Sequence, residues 1–478
     1  MRWTALLFSL VSAPLLAAGF PLSTDDVLVQ QGRQLLAREH PDVMRHMGRN
    51  DGFGGASSAQ IARAMLSDAP ALIAEARSKM VIEPQGPGMW LIRFPYVNVA
   101  VIETRDSLVL FDSGYASIGH VLKDVLPTLS KKPLKTIILS HTHVDHSYGA
   151  RALVQQTPRP TVIASAEMLD AIETDLRLGG SIGRYNNQPL ALQPTDKSHV
   201  VVPDVTFKGR KTFRIGGEDF VLIHAPGETE DQIWMWIPGR KTIVTADYVQ
   251  GFLPNAGNGK RMQRYVEDWS AAMREMAALK PERMLPMHGA AVSGTPQITQ
   301  MLTTYSDALD HIVDQTIARL NAGDRKDAIA ASIDWPEQFA KNPLLDPQYN
   351  RPEDIARMVM KRWTGWWDDV PSHFAAMPFE AEAREAVALA GGVEAIDARA
   401  RALLPVNGKL AARLADWAYF AAPDNPKALR LAIDVYLARL SEPDMPVQEG
   451  LIYFDMAARA RARLEKLTSP SQVLSSKP

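Results

Sequence analysis

Cysteine is absent from the 478-residue sequence, and this absence limits how the protein can be stabilised. Neither disulfide bonds nor thiolate zinc sites are available, so any zinc site must be built from His, Asp and Glu. An excess of charge of one sign is also lacking, because 52 basic residues face 54 acidic ones and the net charge is −2. This balance provides no global attraction to nucleic acid or to an anionic membrane, and we expect no nucleic-acid partner.

Long apolar runs are scarce as well, and the run near the N-terminus is short. It extends over residues 5–16, follows Arg2, and precedes the small residues Ala17-Ala18-Gly19. A membrane-spanning helix needs about 20 apolar residues, whereas a basic start, a short apolar core and a small-residue boundary are typical of a secretory signal peptide. We therefore predict a signal peptide over residues 1–19, export to the periplasm or the medium, and no stable membrane anchor. A buried N-terminal helix is the alternative.

The remaining chain has three regions that differ in sequence periodicity. Residues 20–80 are predicted to be a helical, partly irregular extension, residues 81–296 a domain of alternating strands and helices, and residues 297–478 an all-helical domain. Turn residues predict a long loop over 179–188, and Pro and Asn predict a linker over 335–349. In the middle region we predict one helix at 118–129 and strands at 89–94, 97–103, 108–112, 136–139, 161–164, 199–202, 211–215, 220–224, 233–237, 242–246 and 284–286.

The sequence SHTHVDH at residues 140–146 is the most informative stretch of the chain. It follows an apolar, β-branched run that is typical of a buried strand. His141 and His143, two positions apart, can point the same way from an extended backbone. Asp145 and His146 then face a second position once the chain turns. The layout predicts a site for two adjacent divalent cations rather than one, and a solvated polar loop is the alternative.

Other potential ligands also follow predicted strands, namely Asp112, Glu228, Asp247 and His288. Because open α/β sheets carry their sites at the carboxyl ends of strands, we expect these side chains to meet the histidine cluster. His224 and Glu230 flank the segment that contains Glu228 and are the alternative ligands there.

The segment HTHVDH at 141–146 resembles the HxHxDH signature of the metallo-β-lactamase superfamily. The segments DSG at 112–114, PGET at 226–229, AD at 246–247 and HG at 288–289 are similar to its other motifs and occur in the same order. The resemblance covers residues 89–294. It implies an α/β fold, the αββα metallo-β-lactamase sandwich, in which two mixed sheets lie between helices and metals bind at one edge of the sheets.

One departure from the common pattern indicates a branch of that superfamily. Most members have His where this chain has Glu228, and Glu at this position is similar to the alkylsulfatase branch. HGAAVSG at 288–294 resembles that branch's HGxPVxG segment, and GWWD, LAGG and DWA, at 365–368, 389–392 and 416–418, resemble its helical dimerisation domain. The resemblance implies an all-α second domain and a homodimer formed through it. Members often carry a third, sterol-carrier-like domain, which we expect this chain to lack.

The resemblance also implies roles for individual residues. It assigns one metal to His141, His143 and Glu228, and a second metal to Asp145, His146 and His288, with Asp247 bridging the two. Asp145 and Glu228 are counted as catalytic residues too. Asp112 is expected to hold a ligand imidazole by a hydrogen bond. We expect two divalent ions per chain, with Zn²⁺ foremost, although the same N and O donors suit manganese or iron.

An alkyl sulfate monoester is the leading substrate, cleaved to an alcohol and sulfate by a metal-activated hydroxide. Its sulfate oxygens need donors, and the planar fork of Arg matches a tetrahedral oxyanion. The candidate substrate-binding residues are Asn255, Arg261, Arg264, Arg184 and Tyr185. Two alternatives stay open: the same site acting on another ester, a lactone, a lactam or a phosphoester, and a non-catalytic binding protein built on a helical dimer.

The export prediction can be tested directly. A cleaved signal peptide predicts a mature chain that begins near Gly19 or Phe20, because cleavage follows small residues. N-terminal sequencing of protein isolated from the periplasm or the medium measures this, and a chain that still begins at Met1 would contradict the prediction.

Overall fold

The computed structural model describes residues 20–41, 67–186, 190 and 193–469. The contacts divide the chain into two compact units. Among the described residues, the first unit contains residue 20 and residues 67–366, and we call it the sandwich unit. The second contains residues 21–41 and 367–469, and we call it the helical unit. The predicted signal peptide lies outside the described residues.

Two sheets form the centre of the sandwich unit. The first has seven strands in sequence order, with β1–β4 antiparallel and β4–β7 parallel: Val81–Pro84, Met89–Arg93, Asn98–Glu103, Leu108–Phe111, Leu134–Ile138, Thr161–Ser165 and Val205–Phe207. The second has the spatial order β13-β12-β11-β10-β9-β8, and in sequence order β8–β13 are Arg210–Ile215, Glu218–His224, Ile233–Ile237, Thr242–Val244, Arg283–Leu285 and Val292–Ser293. In that sheet β11 and β12 are parallel and the other pairs are antiparallel.

Helices cover both outer faces of the sheets. The sandwich unit contains α2–α11 in chain order: Pro70–Lys79, Ala116–Leu129, Val144–Ser147, Ala150–Leu153, Glu167–Tyr185, Val266–Ala278, Thr295–Asn321, Lys326–Ala331, Glu337–Ala340 and Pro352–Trp363. Apolar side chains of the two sheets, such as Phe111 and Phe220, share one buried core. The other face of the first sheet packs on α3, and the other face of the second sheet on α7, α8 and α11. The predicted αββα sandwich is therefore confirmed.

The described part of the helical unit is all-helical, as predicted for the second domain. It contains α1 at Thr24–Glu39, and α12–α16 at Phe379–Leu389, Val393–Leu403, Gly408–Ala421, Pro426–Leu440 and Val447–Thr468. Leu36 of α1 belongs to the core of this unit, and Arg33 forms an ion pair with Asp455 of α16. Gly32 permits the close approach of these two helices, because an added Cβ would lie 1.8 Å from the carbonyl oxygen of Ala458.

The helices before and after the two sheets are distributed between the two units differently from the predicted domain limits. Helices α8–α11, at residues 295–363, pack with the sandwich unit, although the all-helical domain was predicted to begin at 297. The predicted extension over 20–80 is shared, since α1 belongs to the helical unit and α2 packs against α3. The apolar face of each helix determines the unit with which the helix packs. Helical periodicity in the sequence does not show which core that face will contact.

Three local predictions are wrong. The predicted loop at 179–188 is helical as far as Tyr185, because Gly179, Gly180 and Gly183 are packing positions rather than turn positions. An added Cβ at Gly179 would lie 2.6 Å from the ring of Phe20, and one at Gly183 would lie 2.8 Å from Leu190. Residues 187–189 lie outside the described part of the chain.

The predicted strand at 199–202 and the predicted linker at 335–349 are the other two errors. Val200 and Val201 are apolar because they pack on the core of the first sheet, not because they pair in a sheet. The supposed linker contains α10, and its Leu345 is buried. Its Tyr349 stacks on Phe252 with ring centroids 5.3 Å apart. Within the described ranges, no helix is both long and apolar enough to cross a membrane.

Candidate metal centre

The predicted ligands lie on loops that leave four strands. His141 and His143 follow β5, and Asp145 and His146 lie in the single turn of α4. Glu228 lies between β9 and β10. Asp247 follows β11 and His288 follows β12, and all of these side chains except the half-buried His143 are buried.

Asp112 fixes the start of the histidine loop. Its carboxylate accepts hydrogen bonds from the Ser140 backbone N–H at 2.7 Å, from Ser140 Oγ at 2.9 Å, and from His146 Nδ1 at 2.8 Å. Asp112 itself has φ 62°, a left-handed conformation that Asp and Asn tolerate better than most residues. The carboxylate therefore holds the ring of His146 so that Nε2 faces the other ligands, as carboxylates that hydrogen-bond a ligand imidazole commonly do.

Close packing behind the loop leaves no room for side chains at two glycines. An added Cβ at Gly119 of α3 would lie 2.0 Å from the carbonyl oxygen of Gly149, and one at Gly149 would lie 2.0 Å from that of Ser113. The backbone and the hydroxyl of Ser113 both donate to the carbonyl oxygen of His146 at 2.8 Å. The turn that carries Asp145 and His146 is thus fixed from behind.

Hydrogen bonds between the two sheets bring their loops together. Asp231 accepts from the Thr142 backbone N–H at 2.8 Å, and Ser165 Oγ donates to the Asp231 carbonyl oxygen at 2.7 Å. On the other side, Asn98 donates to the carbonyl oxygens of Pro286 and Gly289, at 2.8 and 2.7 Å. The ligands from the first sheet therefore face those from the second across a fixed distance.

Seven side chains converge in three overlapping groups. Within each group the candidate ligand atoms lie within 4.8 Å of one another, and the groups are His141–His146–Asp247, Asp145–His146–His288 and His143–Glu228–Asp247. Asp247 belongs to two groups because its oxygens face different ways. Its Oδ1 lies 3.1 Å from His146 Nε2 and 3.3 Å from His288 Nε2, while its Oδ2 lies 3.9 Å from His141 Nε2.

The donor set fits divalent metal ions. Among the described residues, His146 Nε2 and Asp247 Oδ1 have no hydrogen bond of acceptable geometry, although both are buried and they lie 3.1 Å apart. Buried polar atoms without a partner are rare and call for an explanation. Imidazole nitrogens and carboxylate oxygens, with no thiolate, are the ligands that Zn²⁺ and similar ions accept. These residues would hold such ions.

Opposite charges inside the cluster shift its titration. Burial disfavours the charged form of His146, but Asp247, Asp145 and Asp112 outweigh it and raise the pKa of His146 well above its usual value. Burial likewise opposes the charge of Asp247, yet His146 and His288 hold the pKa of Asp247 well below its usual range. Burial and the neighbouring imidazoles lower the pKa of His141 well below its usual value. The carboxylates thus require positive charge beside them.

Glu228, not Glu230, faces the cluster. Glu228 is buried, and its Oε1 lies 4.0 Å from His143 Nδ1, whereas Glu230 is exposed. The carboxylate of Glu228 accepts from Asn255 Nδ2 at 3.0 Å and pairs with Arg264 Nη1 at 2.8 Å. His224 bonds the backbone carbonyl of Glu230 at 2.7 Å instead.

The predicted substrate-binding residues fall into two sets. Asn255 and Arg264 are buried beside Glu228, and burial lowers the pKa of Arg264 to about 9. The charge of Arg261 contributes to lowering the pKa of His143, after the larger effect of burial. Arg184 and Tyr185 are exposed at the end of α6, and the next residue, Asn186, can accept from Arg261 Nη1 at 2.8 Å when its amide is turned.

Sequence reasoning missed three residues at the centre. Gln250 donates to Glu228 Oε2 at 3.1 Å. Tyr96 accepts from His288 Nδ1 through its carbonyl oxygen at 2.8 Å, and its hydroxyl lies 2.9 Å from that of Tyr349. Gln250 could have been suspected from its position three residues after Asp247. Nothing in the local sequence marks Tyr96 or Tyr349, because tertiary folding alone brings them together.

Comparison with known families agrees with this geometry. Residues 92–288 match the metallo-β-lactamase superfamily, and residues 325–461 match the alkyl sulfatase dimerisation family. The chain therefore contains a metallo-β-lactamase domain followed by an alkyl sulfatase dimerisation domain. The presence of both domains makes the chain similar to the alkylsulfatase-like branch of that superfamily.

Several proteins to which the chain is similar are named as alkylsulfatases. A linear primary-alkylsulfatase of Pseudomonas sp. (strain ATCC 19151) is 27% identical over 61% of this chain and 60% of its own length. The alkyl/aryl-sulfatase BDS1 of Saccharomyces cerevisiae is 24% identical over 70% of this chain and 57% of its own length. The chain thus spans about three fifths of the length of these relatives. The inverting sec-alkylsulfatase Pisa1 of Pseudomonas sp. has the same fold, with a TM-score of 0.71 at 18% identity, covering 94% of this chain and 79% of its own.

Asp112→Asn tests how the centre is held. Asn keeps the volume and tolerates the left-handed backbone, but one amide oxygen cannot accept the three hydrogen bonds that the carboxylate accepts. We expect zinc affinity to fall by about 10- to 100-fold, the usual cost of losing such a partner. Competition with a chromogenic chelator measures this. Asp219→Asn, at an exposed ion pair with Arg214, is the control and should change nothing; equal zinc affinity of Asp112→Asn and the wild type would contradict the role of Asp112.

Proposed function

We propose that the protein hydrolyses sulfate monoesters of alcohols, with two divalent ions bound by the seven ligands. The observation that carries this proposal is the buried Glu228 within the ligand cluster, at the position where most of the superfamily has His. The match to the alkyl sulfatase dimerisation family and the names of the relatives support it.

The charge of the site favours an anionic substrate. Two divalent ions would outweigh the carboxylates of Asp145, Glu228 and Asp247, and Arg261 and Arg264 add further positive charge. A sulfate monoester is an anion, whereas lactams and lactones are commonly neutral at the reacting group. The names of the relatives favour a sulfate ester over a phosphate ester.

The protein residues bind and orient the ester. Bound metal ions would supply an activated water nucleophile and neutralise charge on the sulfate. The Nε and Nη2 atoms of Arg264 are buried and have no hydrogen-bond partner in the part of the chain that the structure describes. Arg fits a tetrahedral oxyanion through such parallel donors. Arg261 contributes positive charge beside His143.

A sulfate-release assay tests the proposal. Zinc-loaded protein should release sulfate from primary or secondary alkyl sulfates or from aryl sulfates. Glu228→Ala should lower the turnover by at least about a hundredfold, because it removes a ligand and leaves Arg264 without its partner. Glu230→Ala is the matched control, since that carboxylate is exposed, and it should retain most of the activity.

Two results would contradict parts of this account. Hydrolysis of a phosphoester, lactone or lactam without sulfate release would replace the proposed substrate. A larger loss for Glu230→Ala than for Glu228→Ala would show that the wrong carboxylate was assigned.

We also propose that two copies associate through the helical unit. The family match at 325–461 supports a dimer, and the helical unit exposes Phe374, Met377, Leu389 and Val406 at 66, 71, 87 and 79% of their surfaces. Apolar side chains with such large exposed fractions are suited to a self-complementary contact between two copies. Light scattering at low micromolar concentration should give the dimer mass, and Leu389→Glu combined with Val406→Glu should weaken it. A monomer with full activity would contradict the proposal.

We also propose that the protein is exported, which the N-terminal sequencing described above tests.

A further inference from the structure

Two potential metal positions can be distinguished by their surroundings. We call the atoms of Asp145, His146 and His288, with Asp247 Oδ1, the His146 position. We call those of His143 and Glu228, with a carboxylate oxygen of Asp247, the Glu228 position. Both sets are geometrically possible ligand groups, so the difference between them lies in what else touches the ligands.

The ligands of the His146 position are already oriented for a cation. His146 Nδ1 is bonded to Asp112 at 2.8 Å, and His288 Nδ1 to the Tyr96 carbonyl oxygen at 2.8 Å. Each ring therefore turns Nε2 toward the carboxylates of Asp145 and Asp247, at distances between 3.1 and 3.6 Å. These side chains need to move only slightly to bind an ion.

The ligands of the Glu228 position are engaged with each other and with a cation. His143 Nδ1 lies 2.9 Å from His141 Nε2, so one imidazole donates to the other and an ion must displace that hydrogen bond. The Oε1 atom of Glu228 pairs with Arg264 Nη1 at 2.8 Å and accepts from Asn255 at 3.0 Å. Its Oε2 atom accepts from Gln250 at 3.1 Å.

Arg264 occupies the place of a counter-cation to Glu228. It is 1% exposed and cannot swing into solvent without unpacking. Its Nη1 also donates to the carbonyl oxygen of Glu228, so the guanidinium is tied to this residue twice. A divalent ion at Glu228 must share the carboxylate with this guanidinium, and two cations a few ångströms apart in a poorly solvated site repel each other strongly.

We infer that the two metal positions have unequal affinities, and that Arg264 is the residue that weakens the Glu228 position. This inference rests on the proposed two-metal site and adds to it an order of loading. The first ion enters the His146 position. The second enters the Glu228 position only at higher metal concentration, against the charge of Arg264.

Calorimetric titration of metal-free protein with Zn²⁺ tests the inference without measuring activity. We expect two steps of one ion each, with dissociation constants at least about tenfold apart because of the repulsion. Arg264→Gln should tighten the weaker step by about tenfold or more and leave the stronger step unchanged. Arg264→Lys, which keeps the charge, should keep the gap. Arg362→Gln, which removes an arginine paired with Glu267 and Asp268, is the control and should alter neither step.

Glu228→Gln assigns the steps independently and keeps the test valid if Arg264→Gln does not fold. It preserves the volume, and it should remove the weaker step while the stronger one persists. Thermal unfolding of each metal-free variant shows that it is folded before titration.

The outcomes of the titration distinguish a failure of this inference from a failure of the proposed two-metal hydrolase function. Two equal steps, a gap unchanged in Arg264→Gln, or a weaker step that survives Glu228→Gln would overturn the inference while leaving a two-metal hydrolase intact. No bound zinc in the wild type would overturn the proposed function as well.

Discussion

The carboxylate of Asp112 is the contact on which the centre depends. It accepts from the backbone and side chain of Ser140, where the histidine loop leaves β5, and from the ring of His146, where that loop turns into α4. One buried group therefore fixes both ends of the ligand segment. Its left-handed backbone is a local cost that the surrounding packing imposes, and such strained positions cluster at functional sites.

The same loop is then tied to the second sheet. Asp231 accepts from Thr142, and the backbone N–H of Ile233 donates to the carbonyl oxygen of Ser140 at 2.9 Å. Because the ligands come from both sheets, these bonds set the distance between the two halves of the ligand set. The site is consequently built into the sandwich rather than added to its surface, as preorganised sites require. Buried carboxylates and imidazoles are expensive unless opposite charge accompanies them, and divalent ions would provide that charge.

Much of this could be predicted from the sequence, for identifiable reasons. Metal ligands are few in type and here follow strands, so His141, His143, Asp145, His146, Glu228, Asp247 and His288 could be grouped before their positions were known. The strands from Met89 to Phe111 were predictable because apolar residues alternate or run between clear turn signals. The glycines of α6 led to the wrong prediction of a loop over 179–188. They allow close packing, and the local sequence does not distinguish a glycine needed for packing from a glycine needed for a turn.

Tertiary contacts account for the remaining differences. Arg264 was predicted to bind substrate, but no sequence pattern could show that it also pairs with Glu228 in the folded chain. Tyr349 lies about 250 residues from its partner Tyr96, in a segment that resembled a linker. Likewise α1, far from the C-terminal helices in sequence, joins their core through Leu36.

The central claim is that these seven side chains form a two-ion centre. Anomalous diffraction at the zinc edge, from crystals of zinc-loaded protein, tests it most directly. The account predicts two peaks a few ångströms apart, one beside Asp145, His146 and His288 and one beside His143 and Glu228, with Asp247 between them. A single peak at full zinc loading, or peaks away from these residues, would contradict it.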